Sequence, residues 1–331
     1  MGKNSFFLTV QGSTGNSFLA WCGNNLIPKF EQSSADGGQI PNKLNQYFSF
    51  FIVLCLYVLI VGFNVLLIIV ICVNRTLHDP MYMFLCSLFV NELYGSLGLF
   101  PFMLIQILSD VHIISAPLCF LQIFCIYSYA SIEFSNLAIM SYDRYVAICR
   151  PLQYNSLMTS QRIVFLVSIT WIHSFFLLFC GNAIDTIYCS NYAIIKLSCN
   201  EARVNNIYEL LMLFLAVFVP VSVILYTYMR ILKVCLSGSK QTRQKAVSTC
   251  TPHIASIINF SFGSSFEILQ SRFNTNNNIP AMLRIFLALY YLTCQPFFNP
   301  VLYGLNLSKI RSLICKLFKF NQKHFFFSTL Y

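Results

Sequence analysis

Residues 47–73 read YFSFFIVLCLYVLIVGFNVLLIIVICV, without one charged side chain. Wound as an α-helix at 1.5 Å per residue, this stretch reaches roughly 40 Å, more than the ~30 Å of hydrocarbon in a bilayer. Six further apolar runs, near 80–108, 116–147, 162–183, 205–233, 244–270 and 280–304, are also long enough to cross. Lipid offers no partner to a backbone N–H or C=O, so such segments must satisfy their own hydrogen bonds as helices. The expected fold is an all-α membrane protein, a seven-transmembrane helix bundle in which short linkers make successive helices neighbours. No internal repeat of the transporter kind is present.

Composition agrees. Of 331 residues, 57% are hydrophobic and 10% charged, against about 25% charged in soluble domains. The net charge of +10 does not indicate nucleic-acid binding, because the basic residues stand in short clusters between apolar runs. With the N-terminus outside, the inner segments hold 14 Lys and Arg and the outer segments 7. This asymmetry predicts a multi-pass membrane protein with an extracellular N-terminus and a cytoplasmic C-terminus, and the expected location is the plasma membrane. Residues 1–46 are polar and read as an extracellular tail with no cleavable signal peptide, so that the first membrane helix serves as the insertion signal. The domain plan is therefore a tail at 1–46, a membrane domain at 47–304 and a cytoplasmic segment at 305–331. Between Leu305 and Phe318, basic residues alternate with Leu307, Ile310, Leu313, Ile314 and Leu317, the spacing of an amphipathic helix on the inner membrane face.

Fourteen cysteines divide by side. Nine (Cys55, Cys72, Cys86, Cys125, Cys149, Cys235, Cys250, Cys294 and Cys315) fall in apolar runs or on the inner side and are expected to be reduced. Cys22, Cys119, Cys180, Cys189 and Cys199 fall outside, where disulfides persist. The four at 119, 180, 189 and 199 allow three pairings, which sequence alone does not choose among.

Ionisable groups within a membrane are costly and point to function. Glu92 lies in the second run and Glu133 in the third, whose inner end reads Met140-Ser-Tyr-Asp-Arg-Tyr-Val-Ala-Ile-Cys149. A D-R-Y triplet alone is weak. At the inner end of a third membrane helix, with Arg144 placed 25 residues after Cys119, it is specific.

These strings resemble the rhodopsin-like G-protein-coupled receptors, and within them the olfactory receptors. The resemblance runs from 47 to about 318. It includes Asn64, Pro80-Met-Tyr82, the string ending at Cys149 with Pro151-Leu152 after it, Lys245-Ala-Val-Ser-Thr-Cys-Thr-Pro-His253, and Pro296-Phe-Phe-Asn299-Pro300-Val-Leu-Tyr303. Tyr303-Gly304 followed by Lys309-Ile-Arg311 resembles the fish-like subgroup, associated with water-soluble odorants.

The resemblance implies an odorant as ligand, a heterotrimeric, cAMP-raising G protein as inner partner, and membrane lipid around the bundle. It assigns Asp143, Arg144, Tyr145, Asn299, Pro300 and Tyr303 to coupling and switching, with Arg144 released from Asp143 on activation. It implies disulfides Cys119–Cys189 and Cys180–Cys199. Proline removes a helix hydrogen bond, so Pro300 also marks a natural pivot. By the same alignment Glu92 and Glu133 approach Asn299, where two carboxylates would share a proton or hold sodium. The alternative has each hydrogen-bonded separately.

The expected ligand pocket lies between the outer halves of helices 3, 5, 6 and 7. Gln122, Ile123, Ile126 and Tyr127 project at helical spacing below Cys119, and Ser264, Ser265 and Ile268 would line it from helix 6. Arg272, at the outer end of helix 6, matches an arginine of fish-like receptors that take carboxylic acids, and a guanidinium fits a carboxylate bidentately. The bland alternative is that Arg272 snorkels toward headgroups or solvent.

Some features depart from the family. The outer tail holds no glycosylation sequon, since Asn4-Ser-Phe and Asn16-Ser-Phe both fail and Asn74-Arg-Thr lies inside. Glu92 stands where the class usually has Asp, and Ser261 where olfactory receptors usually have Tyr. Enzyme readings find no support, because there is no H-E-x-x-H, metal-ligand spacing or P-loop. Residues 280–304 hold no lysine for a retinal Schiff base. The remaining competitor is a non-olfactory rhodopsin-like receptor, although the outer part of helix 3 offers no carboxylate to an amine.

Overall fold

A computed structural model describes residues 43–109, 116–188, 214–238, 240–273 and 281–316, with some side chains inside these helices undescribed. Every regular element among the described residues is helical. The seven long helices are α1 (Lys43–Val73), α2 (Pro80–Leu108), α3 (Ala116–Cys149), α4 (Ser160–Tyr188), α5 (Val219–Ser237, continuing a π-turn at Phe214–Phe218), α6 (Lys240–Phe273) and α7 (Ala281–Asn306). A further helix, α8, occupies 308–316.

The seven expected runs correspond to the seven helices, with residues 205–213 of the fifth run lying outside the described residues. α1 starts four residues before 47 and α6 four before 244, because the polar residues there are helix-compatible and the helices continue past the apolar stretch. The sequence from Gln46 to Val73, α2, and Phe214–Ser237 are long and apolar enough to cross a membrane on composition alone. α6, which opens with Lys240, Arg243 and Lys245, has the lowest mean hydropathy of the seven. Large apolar side chains such as Phe51, Val58, Ile69, Phe165, Ile172 and Met229 are exposed on the helices, the pattern of a fold whose outer solvent is lipid.

The chain forms two compact units. The first comprises Met1–Leu66, Glu92–Ile126 and Ile258–Val301. Its interior joins α1, α2 and α7. Tyr57 stacks on Phe100 with centroids 5.1 Å apart, and Phe63 meets Phe297 edge-on at 6.1 Å. At Gly98, α2 and α3 approach so closely that an added Cβ would lie 2.7 Å from the Cβ of Cys125. Pro300 has no N–H for the carbonyl of Pro296, four residues earlier. Asn64 of α1 fills that gap by donating Nδ2 to the Pro296 oxygen at 2.9 Å.

The second unit comprises Leu67–Asn91, Tyr127–Ile257 and Leu302–Tyr331. Polar side chains tie three of its helices together: Trp171 Nε1 donates to Ser87 Oγ at 3.1 Å, and Ser87 donates to Asn136 Oδ1 at 3.0 Å. Ser131 donates to Ser174 at 2.9 Å. Such bonds suit an interior where packing and hydrogen bonding hold helices together in place of a hydrophobic driving force. In α8, Ile310 is buried and Leu313 and Ile314 half-buried, while Lys309, Arg311 and Lys316 are exposed, as the amphipathic spacing predicts. Lys309 pairs with Asp79 at 3.1 Å, and this hydrogen bond and charge raise its pKa.

None of the nine cysteines expected to be reduced is in a disulfide. The side chains of Cys119 and Cys180, and the residues Cys22, Cys189 and Cys199, lie outside the described residues.

Candidate functional site

In the second unit, the inner part of α3 carries the Asp143-Arg144-Tyr145 triplet, four residues before the helix ends at Cys149. Asp143 is fully buried and Arg144 nearly so. Arg144 Nε donates to Asp143 Oδ2 at 2.9 Å, and Nη2 makes a second contact with the same oxygen. The other carboxylate oxygen accepts from Tyr154 Oη at 2.7 Å. Tyr154 opens a single helical turn (Tyr154–Leu157) after Pro151-Leu-Gln153. Burial and the neighbouring carboxylate push its pKa upward, so it remains a hydrogen-bond donor at neutral pH. Both oxygens of Asp143 are thus occupied. Removing one member of such a buried pair exposes the full desolvation cost of the other, about 3–5 kcal/mol.

Tyr145 does something different from its neighbours. It belongs to an apolar cluster with Val146, Met158, Ile231, Cys235, Ala246 and Cys250. Its ring centroid lies 6.4 Å from that of Tyr226. Deeper in the same unit, Tyr228 Oη and His253 Nδ1 are 2.5 Å apart, joining α5 to α6. Tyr303 is fully buried and packs edge-on against Phe89.

The first unit holds a connected polar strand. Tyr290 Oη donates to Asn259 Oδ1, Asn259 Nδ2 donates to Gln295 Oε1 at 2.6 Å, and Gln295 Nε2 to Asn299 Oδ1 at 3.4 Å. Asn299 Nδ2 then donates to Glu92 Oε1. Asn299 and Glu92 are fully buried.

Glu133, in the second unit, accepts from Asn91 Nδ2 at 2.9 Å, and the same nitrogen reaches the Tyr129 carbonyl at 3.1 Å. Each of the two acids therefore has its own carboxamide donor. Among the described residues, no three His, Cys, Asp or Glu side chains gather as a metal site.

Of the expected ligand residues, Gln122 is buried with no hydrogen-bond partner on its Oε1, while Ile126 is half-buried. Ser264 is buried and donates to its own helix at the Phe260 carbonyl, 2.7 Å away. Tyr127 is 46% exposed and belongs to the second unit, whereas Gln122 and Ser264 belong to the first. The side chains of Ile123, Ser265, Ile268 and Arg272 lie outside the described residues; the Arg272 backbone falls in the last turn of α6.

Sequence reasoning missed Tyr154, the Tyr228–His253 bond and the Asn259–Gln295 link. A histidine in an apolar helix was the available signal for the second.

A family model described as olfactory receptor matches residues 53–321. Among curated human proteins, Olfactory receptor 52D1 is 36% identical over 267 residues, covering 77% of this chain and 84% of the relative. Olfactory receptor 51G1 is 33% identical, covering 80% and 86%. Olfactory receptor 11A1 is 34% identical, covering 82% and 89%.

Proposed function

Because the chain belongs to the olfactory receptor family, a family of G-protein-coupled receptors and not of enzymes, we propose that it binds a small odorant in the outer half of its bundle and raises cAMP through a stimulatory G protein at its inner face. The observation that carries this reading is the doubly satisfied Asp143. Arg144 and Tyr154 hold it in one bonded arrangement, which a partner competing for Arg144 can replace. A two-state element of this kind is what ligand-driven coupling requires. The orientation follows from the excess of Lys and Arg on the α3–α4, α5–α6 and α8 side.

Of the candidate odorant contacts, Gln122, Ile123, Ile126, Ser264, Ser265, Ile268 and Arg272 belong to the first unit and Tyr127 to the second. Among these candidate contacts, Gln122 has a buried side-chain oxygen with no hydrogen-bond partner, open to a donor on the ligand. The finer reading is a carboxylic acid received by Arg272, in keeping with the fish-like pattern at Tyr303-Gly304. For Glu92 and Glu133 we favour separate hydrogen bonding over a shared sodium ion, on the strength of the two asparagine donors.

The test is a cAMP reporter assay of surface-expressed receptor against acids, amino acids, amines and neutral odorants. A response confined to one chemical class supports the reading. A receptor that signals only through a cAMP-lowering partner overturns the coupling assignment.

A further inference from the structure

Beside the coupling triplet, the second unit contains a cleft of about 270 Å³. Tyr145, Cys149 and Arg150 border it on the α3 side, and Arg230, Lys233 and Ser237 on the α5 side. None of its lining residues is acidic. Arg150, Arg230 and Lys233 are exposed and make no ion pair with any described residue. The Arg150 guanidinium stands 5.9 Å from the centre of the Tyr145 ring. Three cations converging on one small opening without a counter-charge repel one another, and that repulsion is relieved by an anion.

The volume is below the roughly 300–1,000 Å³ typical of pockets for whole drug-sized ligands, so the cleft suits one charged head. What lies next to it identifies the rest of the molecule. On α5, Tyr226, Arg230, Lys233 and Ser237 recur at helical spacing. Leu225, Met229, Leu232 and Leu236 recur one position earlier, about 100° around the helix. That second stripe is between 54% and 74% exposed. A polar, basic strip and an open apolar strip thus run side by side along one helix.

We propose that the cleft binds the phosphomonoester-bearing head of an anionic lipid, with the acyl chain lying along the Leu225–Leu236 stripe. Guanidinium forks and an ammonium match a phosphate monoester better than a lone carboxylate. Basic groups at this depth face the anionic leaflet of the membrane. The leaflet assignment rests on the topology proposed above, whereas the lipid chemistry does not.

The experiment uses the full chain in phosphatidylcholine nanodiscs doped with a fluorescent phosphatidylinositol bisphosphate. Nanodiscs present the lipid on both faces, so an error in topology would not hide binding, and no odorant or G protein is needed. Binding should be saturable, should weaken as salt rises, and should fall at least tenfold in the triple variant Arg150→Gln, Arg230→Gln, Lys233→Gln. The control, Arg311→Gln with Lys316→Gln in α8, removes two charges elsewhere and should bind as the wild type does. The thermal unfolding midpoints in undoped discs confirm that both variants fold. Equal loss in the control, or equal binding of phosphatidylserine, would reduce the cleft to unspecific surface charge and overturn the proposal. Soluble inositol trisphosphate binding as tightly as the lipid would overturn the part played by the apolar stripe.

Discussion

Asn64 on α1 donates a hydrogen bond to the carbonyl of Pro296 on α7, and that carbonyl is the one that Pro300 leaves without a helical partner. The hydrogen bond that α7 lacks at Pro300 is therefore supplied by another helix. Asn64→Ala should destabilise the receptor by about 1–3 kcal/mol, the cost of an unsatisfied buried acceptor. In a Pro300→Ala background the restored N–H takes over, so the same substitution should cost about 1 kcal/mol less. Thermal unfolding of the four receptors in detergent reads this cycle, and strict additivity would refute it.

The contact at Gly98 makes a second prediction. An alanine there places its Cβ 2.7 Å from the backbone-fixed Cβ of Cys125, so Gly98→Ala should cost about 1–3 kcal/mol through forced separation of α2 and α3. Gly62 has no neighbour within 4 Å of an added Cβ. Gly62→Ala should be neutral or stabilising by up to about 1 kcal/mol. Comparable losses at both sites would mean that the helix approach does not matter.

Tyr154→Phe removes one of the bonds that hold Asp143 without touching Arg144. A hydrogen bond to a charged group contributes about 1.5–3 kcal/mol, and partial exposure reduces that figure. Basal cAMP should rise several-fold while the agonist maximum is retained. Arg144→Gln should do the opposite, keeping surface expression but abolishing the response. Unchanged basal signalling in Tyr154→Phe would remove Tyr154 from the resting lock.

Separate hydrogen bonding of the two intramembrane acids has a clear readout. Glu92→Gln keeps an oxygen for Asn299 and should reach the surface, whereas Glu92→Leu should not. Agonist potency in the wild type should be the same in sodium and in an organic cation. A shift that Glu92→Gln abolishes would establish the sodium reading instead.

The acid hypothesis is tested by matched acids, amides and alcohols on wild type and Arg272→Gln. If Arg272 receives a carboxylate, the acid should lose roughly ten- to a hundredfold in potency and the alcohol little. An acid agonist of unchanged potency would leave Arg272 as a snorkelling residue.

What could be read in advance followed from local rules. Unbroken apolar length set the seven helices, and the alternation after Leu305 set α8. Pairings between distant segments were another matter. Nothing within Tyr154 or its neighbours signals that its hydroxyl turns back to Asp143, eleven residues earlier. Asn259 and Gln295 meet only because α6 and α7 pack with a particular rotation. Helical spacing likewise grouped Tyr127 with Gln122, but the packing leaves one half exposed and the other buried.

The sequence has two tryptophans, Trp21 and Trp171, and the indole N–H of Trp171 is bound to Ser87 on α2, which in turn is bound to Asn136 on α3. With Trp21→Phe, the receptor becomes a single-tryptophan protein whose one fluorophore sits on a junction of three helices. Its emission wavelength and quenching then report, without any attached label, whether α2, α3 and α4 keep their register when agonist or G protein arrives.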